Sequence, residues 1–269
     1  MVTVRLFSAA RAVYYVFYRL TVRLRCRCQD WLGGGAAPPA MLRFRVSEST
    51  SVEEFHSVGR NTVLAIEQAL EAAGRPLATF GAVLDFGCGC GRTLSWMARA
   101  APGLKLHGTD VDGEAVAWCR TNLPGIQFGT NGALPPLNYA DNSFDLAYAI
   151  SVFTHLNEDH QRRWLAELGR VVRPGGLLLF SVHGARCRAG VTVEDGARLA
   201  QCGFLHKTSA KLRGIVPAWY HTTYHSRDYV LRAVSEWFRP VSYAEGGLGY
   251  QDLVIVERPR AEESVARAV

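Results

Sequence analysis

Apolar residues cluster along this chain at 82–86, 104–110, 126–130, 144–151 and 177–183, several of these runs nearly continuous. Runs of that length and continuity predict strands buried on both faces, as in a parallel sheet covered by helices. Between them the apolar positions space out, predicting helices at 92–100, 113–122 and 158–170. Upstream, Ser51 and Glu54 have the spacing of a capping box, opening a helix whose apolar face runs through Val63, Ile66 and Leu70 until Gly74 and Pro76 stop it. Downstream, Ser226 caps a helix from Arg227 to Phe238 with Val230, Val234 and Trp237 turned inward. Strands near 240–245 and 252–257 follow, joined by Gly246, Gly247 and Gly249. A terminal hairpin of this kind adds one antiparallel strand to an otherwise parallel sheet.

The composition is compatible with one such α/β domain with extensions: 269 residues, 48% hydrophobic and 20% charged. Seven cysteines are an odd number, which argues against a disulfide framework and for a reducing compartment, with the cytoplasm as the expected location. The pairs Cys26/Cys28 and Cys88/Cys90 lack the spacing of a zinc ribbon, so no metal is expected.

Net charge is +6, but residues 1–45 hold eight arginines against the single acid Asp30, a surplus of seven that leaves the rest of the chain near −1. A body so close to neutral has no phosphate-tracking stripe, which argues against a nucleic-acid substrate. Residues 4–28 interleave arginines with Phe7, Tyr14, Tyr15, Phe17, Tyr18, Leu20 and Leu24, and their longest uncharged run, Ala12–Tyr18, is too short to span a bilayer. Three states suit this segment: a helix on an anionic membrane surface, a packed extension or lid, or a disordered basic arm. Gly33, Gly34, Gly35, Pro38 and Pro39 read as its linker. The expected division is therefore an arm over 1–40, a domain over 41–260 and a tail over 261–269.

The chemistry concentrates at Val83-Leu84-Asp85-Phe86-Gly87-Cys88-Gly89-Cys90-Gly91-Arg92, where a strand runs into an acid and then into three glycines spaced two apart. Such a turn offers bare backbone amides to a ligand. The dinucleotide fingerprint G-x-G-x-x-G fails here, since its last position falls on Arg92 or Leu94. The form D-x-G-x-G-x-G instead resembles motif I of the class I S-adenosylmethionine-dependent methyltransferases. Residues 40–258 match that family's order of motifs.

The resemblance implies a Rossmann-like seven-stranded, mostly parallel sheet in the order 3-2-1-4-5-7-6, strand 7 antiparallel, with helices on both faces. It implies S-adenosylmethionine as cofactor, S-adenosylhomocysteine as product, and a cofactor site of Asp85, Phe86, Gly87, Cys88, Gly89 and Gly91. In His107-Gly108-Thr109-Asp110-Val111-Asp112 it assigns Asp110 to the ribose hydroxyls and Val111 to an adenine face. Asn131, with Gly132 and Ala133, stands where many relatives have an aspartate reading the adenine amino group, and keeps an uncharged acceptor. Ser151 and Val152 leave strand four beneath the methionine part, and Val172-Arg173-Pro174-Gly175-Gly176 matches the turn before strand five.

In-line methyl transfer needs positioning more than a nucleophile, and a hydroxyl acceptor gains from a general base. His155 is one candidate base; His221 and His225, within the 184–225 stretch that reads as a substrate cap, are the others. Arg60, and behind it Arg43, could meet the cofactor carboxylate or an acidic acceptor. The segment Ser151-Val152-Phe153-Thr154 lacks the Asn/Asp-Pro-Pro-aromatic motif of enzymes that methylate base amines. The expected acceptor is therefore a small molecule, glycan, lipid or peptide, a hydroxyl before an amine, in biosynthesis or tailoring. A noncatalytic S-adenosylmethionine-binding protein tethered by its basic arm is an alternative; a NAD-dependent oxidoreductase is another, opposed by the glycine spacing and the hairpin.

Overall fold

The computed structural model describes residues 2–32, 37–187 and 191–260. The expected linker glycines 33–35 and the tail 261–269 lie outside the described residues.

Helices α1 (Val2–Leu32), α2 (Ala40–Ser47) and α3 (Val52–Ala72) precede the sheet. Then come β1 (Ala82–Phe86), α4 (Leu94–Ala100), β2 (Lys105–Asp110), α5 (Gly113–Asn122), β3 (Gln127–Thr130), β4 (Phe144–Ala149), α6 (Glu158–Val171) and β5 (Val172–Val182). A connection containing α7 (Val193–Cys202), β6 (Phe204–Lys207) and β7 (Thr222–His225) leads to α8 (Arg227–Val234), β8 (Arg239–Leu248) and β9 (Gln251–Glu257). The main sheet has the order β3-β2-β1-β4-β5-β9-β8. This is the expected 3-2-1-4-5-7-6 once β6 and β7, which form a separate two-stranded sheet, are counted apart. β9 is antiparallel to both neighbours, pairing Phe180 with Val254 on β5 and Tyr243 with Val254 on β8.

Continuous apolar strands are explained by two covered faces. Val83 packs with Val63, Ile66 and Leu70 of α3 and Met97 of α4, whereas Leu84 and Phe86 pack with Trp164 and Leu168 of α6 and Phe238. Each such side chain, fully buried, contributes about 1.5–3 kcal/mol.

Some boundaries differ from expectation. β5 starts at Val172, not 177, because Val172 pairs with Phe144 across an irregularity in register, leaving Arg173 and Pro174 on an exposed edge. β4 ends at Ala149, since Ser151 adopts a left-handed backbone. The capping box is half-formed: the Ser51 hydroxyl accepts from the Glu54 N–H, but the Glu54 carboxylate takes the Ser49 hydroxyl instead.

The basic segment is a packed extension along its C-terminal half. Val22 and Cys26 on α1 bury against Ala40 and Phe44 of α2 and against Ile215 in the cap. Arg43, expected as a possible ligand contact, is a latch. Its buried guanidinium donates to the Thr50 carbonyl at 2.7 and 3.0 Å and to the Pro38 carbonyl, so it is unavailable to a cofactor.

Candidate functional site

The strand order reverses between β1 and β4, and ligands in open α/β sheets bind at the carboxyl ends of strands beside such a reversal. A cavity of about 390 Å³ lies there. Its floor is the turn after β1, where Gly87 and Gly89 have φ of +82° and +53°. A Cβ on Gly87 would collide with Val152, and one on Gly89 with Val46 of α2, so the turn admits only glycine at both.

Asp110, at the end of β2, accepts the Gly89 N–H at 2.7 Å on one oxygen and the Asp112 N–H at 2.8 Å on the other. Each oxygen keeps lone-pair capacity for a further donor, as a ribose diol requires. Burial raises this carboxyl's pKa against the pull of those amides. Asp85 also lines the cavity, and its burial, with the Asp110 charge adding to it against the nearby Tyr148 hydroxyl, pushes its pKa up to about 8. Half-buried Arg92 lines the same space, donates to the Val46 carbonyl at 3.1 Å, and is lowered from its ordinary value by desolvation. Arg45 on α2 closes the outer side, bonding Asp112 at 2.9 Å and Glu114 at 2.7 Å.

Ser151, at φ +58°, bends the chain out of β4 beneath the cavity. A non-glycine residue there costs roughly 1–3 kcal/mol unless the surroundings hold it. Here its N–H donates to Ser181 Oγ at 2.7 Å and its hydroxyl pairs with Gln251 at 3.0 Å.

The far wall carries His155, stacked on Tyr220 with ring centroids 3.8 Å apart. His155 Nδ1 stands 2.7 Å from the His221 carbonyl, which can only accept, so Nδ1 bears the proton. Nε2 is therefore an acceptor, and the Tyr220 hydroxyl donates to it at 2.7 Å. Burial lowers the His155 pKa to about 4, with the His221 carbonyl opposing, so the ring is neutral near pH 7. The loop bearing it is stitched to β7: Thr223 N–H donates to the Thr154 carbonyl at 2.8 Å and the Thr223 hydroxyl to that of Leu156 at 2.7 Å.

Of the residues singled out by sequence, Asp85, Gly87, Cys88, Gly89, Asp110, Val111, Ser151, Val152 and His155 line this cavity. Phe86 and Gly91 do not: Phe86 packs on Trp164 at 4.6 Å, and Gly91 is pressed against Leu123. Asn131, Gly132 and Ala133 also fall outside the lining; the Asn131 amide oxygen accepts the Thr109 hydroxyl at 2.8 Å, and the Ala133 carbonyl accepts Trp164 Nε1–H at 3.2 Å.

Three expectations are corrected. Arg60 is exposed on α3, because its neighbour Gly59 is the residue pressed onto the turn, against the Arg92 carbonyl; Arg92 takes the inward position instead. His221 enters the site through its carbonyl, while its ring turns away and accepts the Ser209 N–H at 3.4 Å. His225 is buried outside the cavity, where burial lowers its pKa to about 3. Gln161 spends its amide protons on the Phe153 and Leu156 carbonyls, so its oxygen accepts from His225 Nε2 at 3.1 Å. That chain of bonds buttresses the loop carrying His155. Sequence reasoning passed over Arg92, Arg45 and Tyr220. Only Tyr220 left a trace, as part of the aromatic Trp219–His225 stretch.

Residues 83–176 match the sequence profile of a family described as "Methyltransferase domain". The chain is 30% identical over 146 residues to phthiotriol/phenolphthiotriol dimycocerosates methyltransferase 1 of Mycobacterium ulcerans (strain Agy99), covering 54% of this chain and 49% of that protein. It is 37% identical over 134 residues to Methyltransferase GfsG of Streptomyces halstedii, covering 48% and 46%. The chain thus spans about half the length of the curated relatives it matches. Among solved structures, an S-adenosylmethionine-dependent methyltransferase from Mesorhizobium loti shares the fold with a TM-score of 0.55 at 18% identity, over 72% of this chain and 98% of that one. Profile match, strand order and glycine turn agree: residues 83–176 are similar to a methyltransferase domain, carried on a Rossmann-like sheet of the class I methyltransferase order.

Proposed function

We propose that this protein transfers the methyl group of S-adenosylmethionine to a hydroxyl on an apolar, small to medium-sized acceptor of lipid or polyketide type. One observation carries the reading: a buried carboxylate, Asp85, and a half-buried guanidinium, Arg92, stand in one cavity with Asp110, while the neutral Tyr220–His155 pair closes its far wall. An amino-acid zwitterion attached to a nucleoside complements that set, its ammonium suiting Asp85, its carboxylate Arg92 and its ribose Asp110. Bound there, the cofactor supplies a methyl carbon already activated by the positive sulfonium.

The protein's own part is to hold, exclude water and move one proton. Tyr220 takes the proton of the acceptor hydroxyl and passes its own to His155 Nε2, while the His221 carbonyl keeps the ring oriented through Nδ1–H. Charging a histidine of pKa about 4 at pH 7 costs about 4 kcal/mol. A weak base suffices here, because the hydroxyl oxygen becomes cationic and strongly acidic as its bond to the methyl carbon forms.

Ile215, Val216, Pro217 and Trp219 give the mouth an apolar rim suited to a hydrocarbon-rich acceptor. The name of the Mycobacterium ulcerans relative, a methyltransferase of phthiotriol-type dimycocerosates, supports the same class. The test is transfer of tritium from labelled S-adenosylmethionine to a panel of hydroxylated lipids and polyketides, with calorimetry of S-adenosylhomocysteine alongside. Label in an ether product, lost in Tyr220→Phe, is the expected outcome. Cofactor binding without turnover on any panel member would favour a noncatalytic role.

A further inference from the structure

Helix α1 is built inside out at its free face. Val22 and Cys26 bury its underside, and the opposite side presents Val13, Phe17, Leu20, Leu24 and Trp31, spaced as one stripe and 54, 63, 48, 62 and 86% exposed. From Val13 to Trp31 this stripe runs about 27 Å along the helix at ~1.5 Å per residue. By helical spacing Arg23 and Arg27 lie along one edge and Arg25 along the other. On the far side of α1 from the stripe, between the helix and the cap, a groove of about 330 Å³ is lined by Arg11, Arg19 and Arg213 together with Thr208 and Ser209.

We infer that the exposed stripe of α1 and its flanking arginines form a docking surface for an anionic lipid bilayer, the stripe entering the interface and Arg25 and Arg27 meeting lipid phosphate. Apolar side chains flanked by arginines, with aromatic rings at the level of the headgroups, are what an interfacial helix requires. Charge argues for lipid over a second copy of the chain. Symmetric pairing would set arginine rows against each other, and the one acid within α1, Asp30, is occupied by the Ala40 N–H at 2.7 Å. Among the described residues no helix is long and apolar enough to cross a membrane, so the contact is peripheral.

The helix carrying this surface also lies next to the cavity. Ile215 packs on Val22 and Cys26 on one side and lines the cavity on the other. A docked α1 therefore leaves the apolar mouth one helix thickness, about 10 Å, behind the bilayer surface, a short path for a hydrophobic acceptor. This last consequence rests on the acceptor reading above; the lipid contact does not.

The experiment is co-sedimentation of the full chain with phosphatidylcholine vesicles, with and without phosphatidylglycerol, at about 0.1 M salt, where charges are screened beyond about 10 Å. Wild type should bind the anionic vesicles only. R25Q/R27Q should bind them roughly 30-fold more weakly, from two arginine contacts, and F17S/L24S should lose binding. S-adenosylhomocysteine affinity should be unchanged in both variants, showing an intact fold. Absence of wild-type binding, equal binding to neutral vesicles, or a solution dimer that F17S/L24S dissociates would overturn the inference. Because vesicle binding is read without an acceptor, failure of the proposed methyl transfer leaves this result standing, and the reverse.

Discussion

The sharpest test of the cavity is the pH dependence of S-adenosylhomocysteine binding. Asp85 has a pKa of about 8 in the ligand-free protein, chiefly because it is buried. If the ligand's ammonium is held only by the ionised carboxylate, the apparent affinity follows the ionised fraction, about 1% at pH 6, 10% at pH 7 and one half at pH 8. The association constant should therefore rise about 50-fold between pH 6 and pH 8, with roughly 0.9 proton released per ligand at pH 7. Titration calorimetry in buffers of different ionisation enthalpy reads both quantities.

Asp85→Asn should flatten the profile and weaken binding at pH 8 by about 2–5 kcal/mol, the usual loss when one partner of a buried charge pair is removed. Stability should move the opposite way. The folded pKa lies above the ordinary 3.8, so the folded chain retains a proton that the unfolded chain releases, and ligand-free stability falls as pH rises from about 4 to about 8. At pH 7 that cost is on the order of 4 kcal/mol, and Asp85→Asn should recover part of it as a higher Tm. A pH-independent affinity without proton release, or an Asn variant binding like wild type, would refute the placement of the ammonium at Asp85.

Tyr220→Phe should lower kcat by about 10²–10⁴ while S-adenosylhomocysteine affinity stays within about two-fold by calorimetry, since the cofactor groups are elsewhere. With a pKa of about 4, His155 is neutral above that value, so wild-type kcat at saturating S-adenosylmethionine should fall only as pH drops through it, as a kcat–pH profile would show. Gln161→Leu strands two buried carbonyls and His225, and should cost about 2–4 kcal/mol in urea unfolding together with a drop in kcat as the His155 loop shifts. Gly87→Ala places a Cβ against Val152 at φ +82°, and a loss of roughly 1–3 kcal/mol, with weakened S-adenosylhomocysteine binding, should appear in thermal denaturation and calorimetry.

The strands, the glycine turn and Asp110 were legible in the chain itself because their signals are local. An apolar run reports burial on both faces, a positive φ demands glycine, and an acid at a strand's end stands where backbone amides converge on it. Even the reversed last strand followed from a hairpin written in neighbouring residues. The side of the cavity that faces the acceptor had no such signature. His221 and His225 lie four apart in one aromatic stretch, yet the first contributes a carbonyl, the second is buried behind Gln161, and Tyr220 presents the hydroxyl.

Arg60 and Arg92 are separated likewise by packing alone, since Gly59 sits on the turn and thereby sends its neighbour outward. The seat of α1 depends on contacts between segments almost 200 residues apart, such as Arg19 with the Ala210 carbonyl. Local backbone preference and hydrophobic period thus determined the scaffold and the cofactor turn from the sequence by itself. Which side chains close over that turn was decided only in the tertiary structure, because the orientation of a returning segment is set by what it packs against.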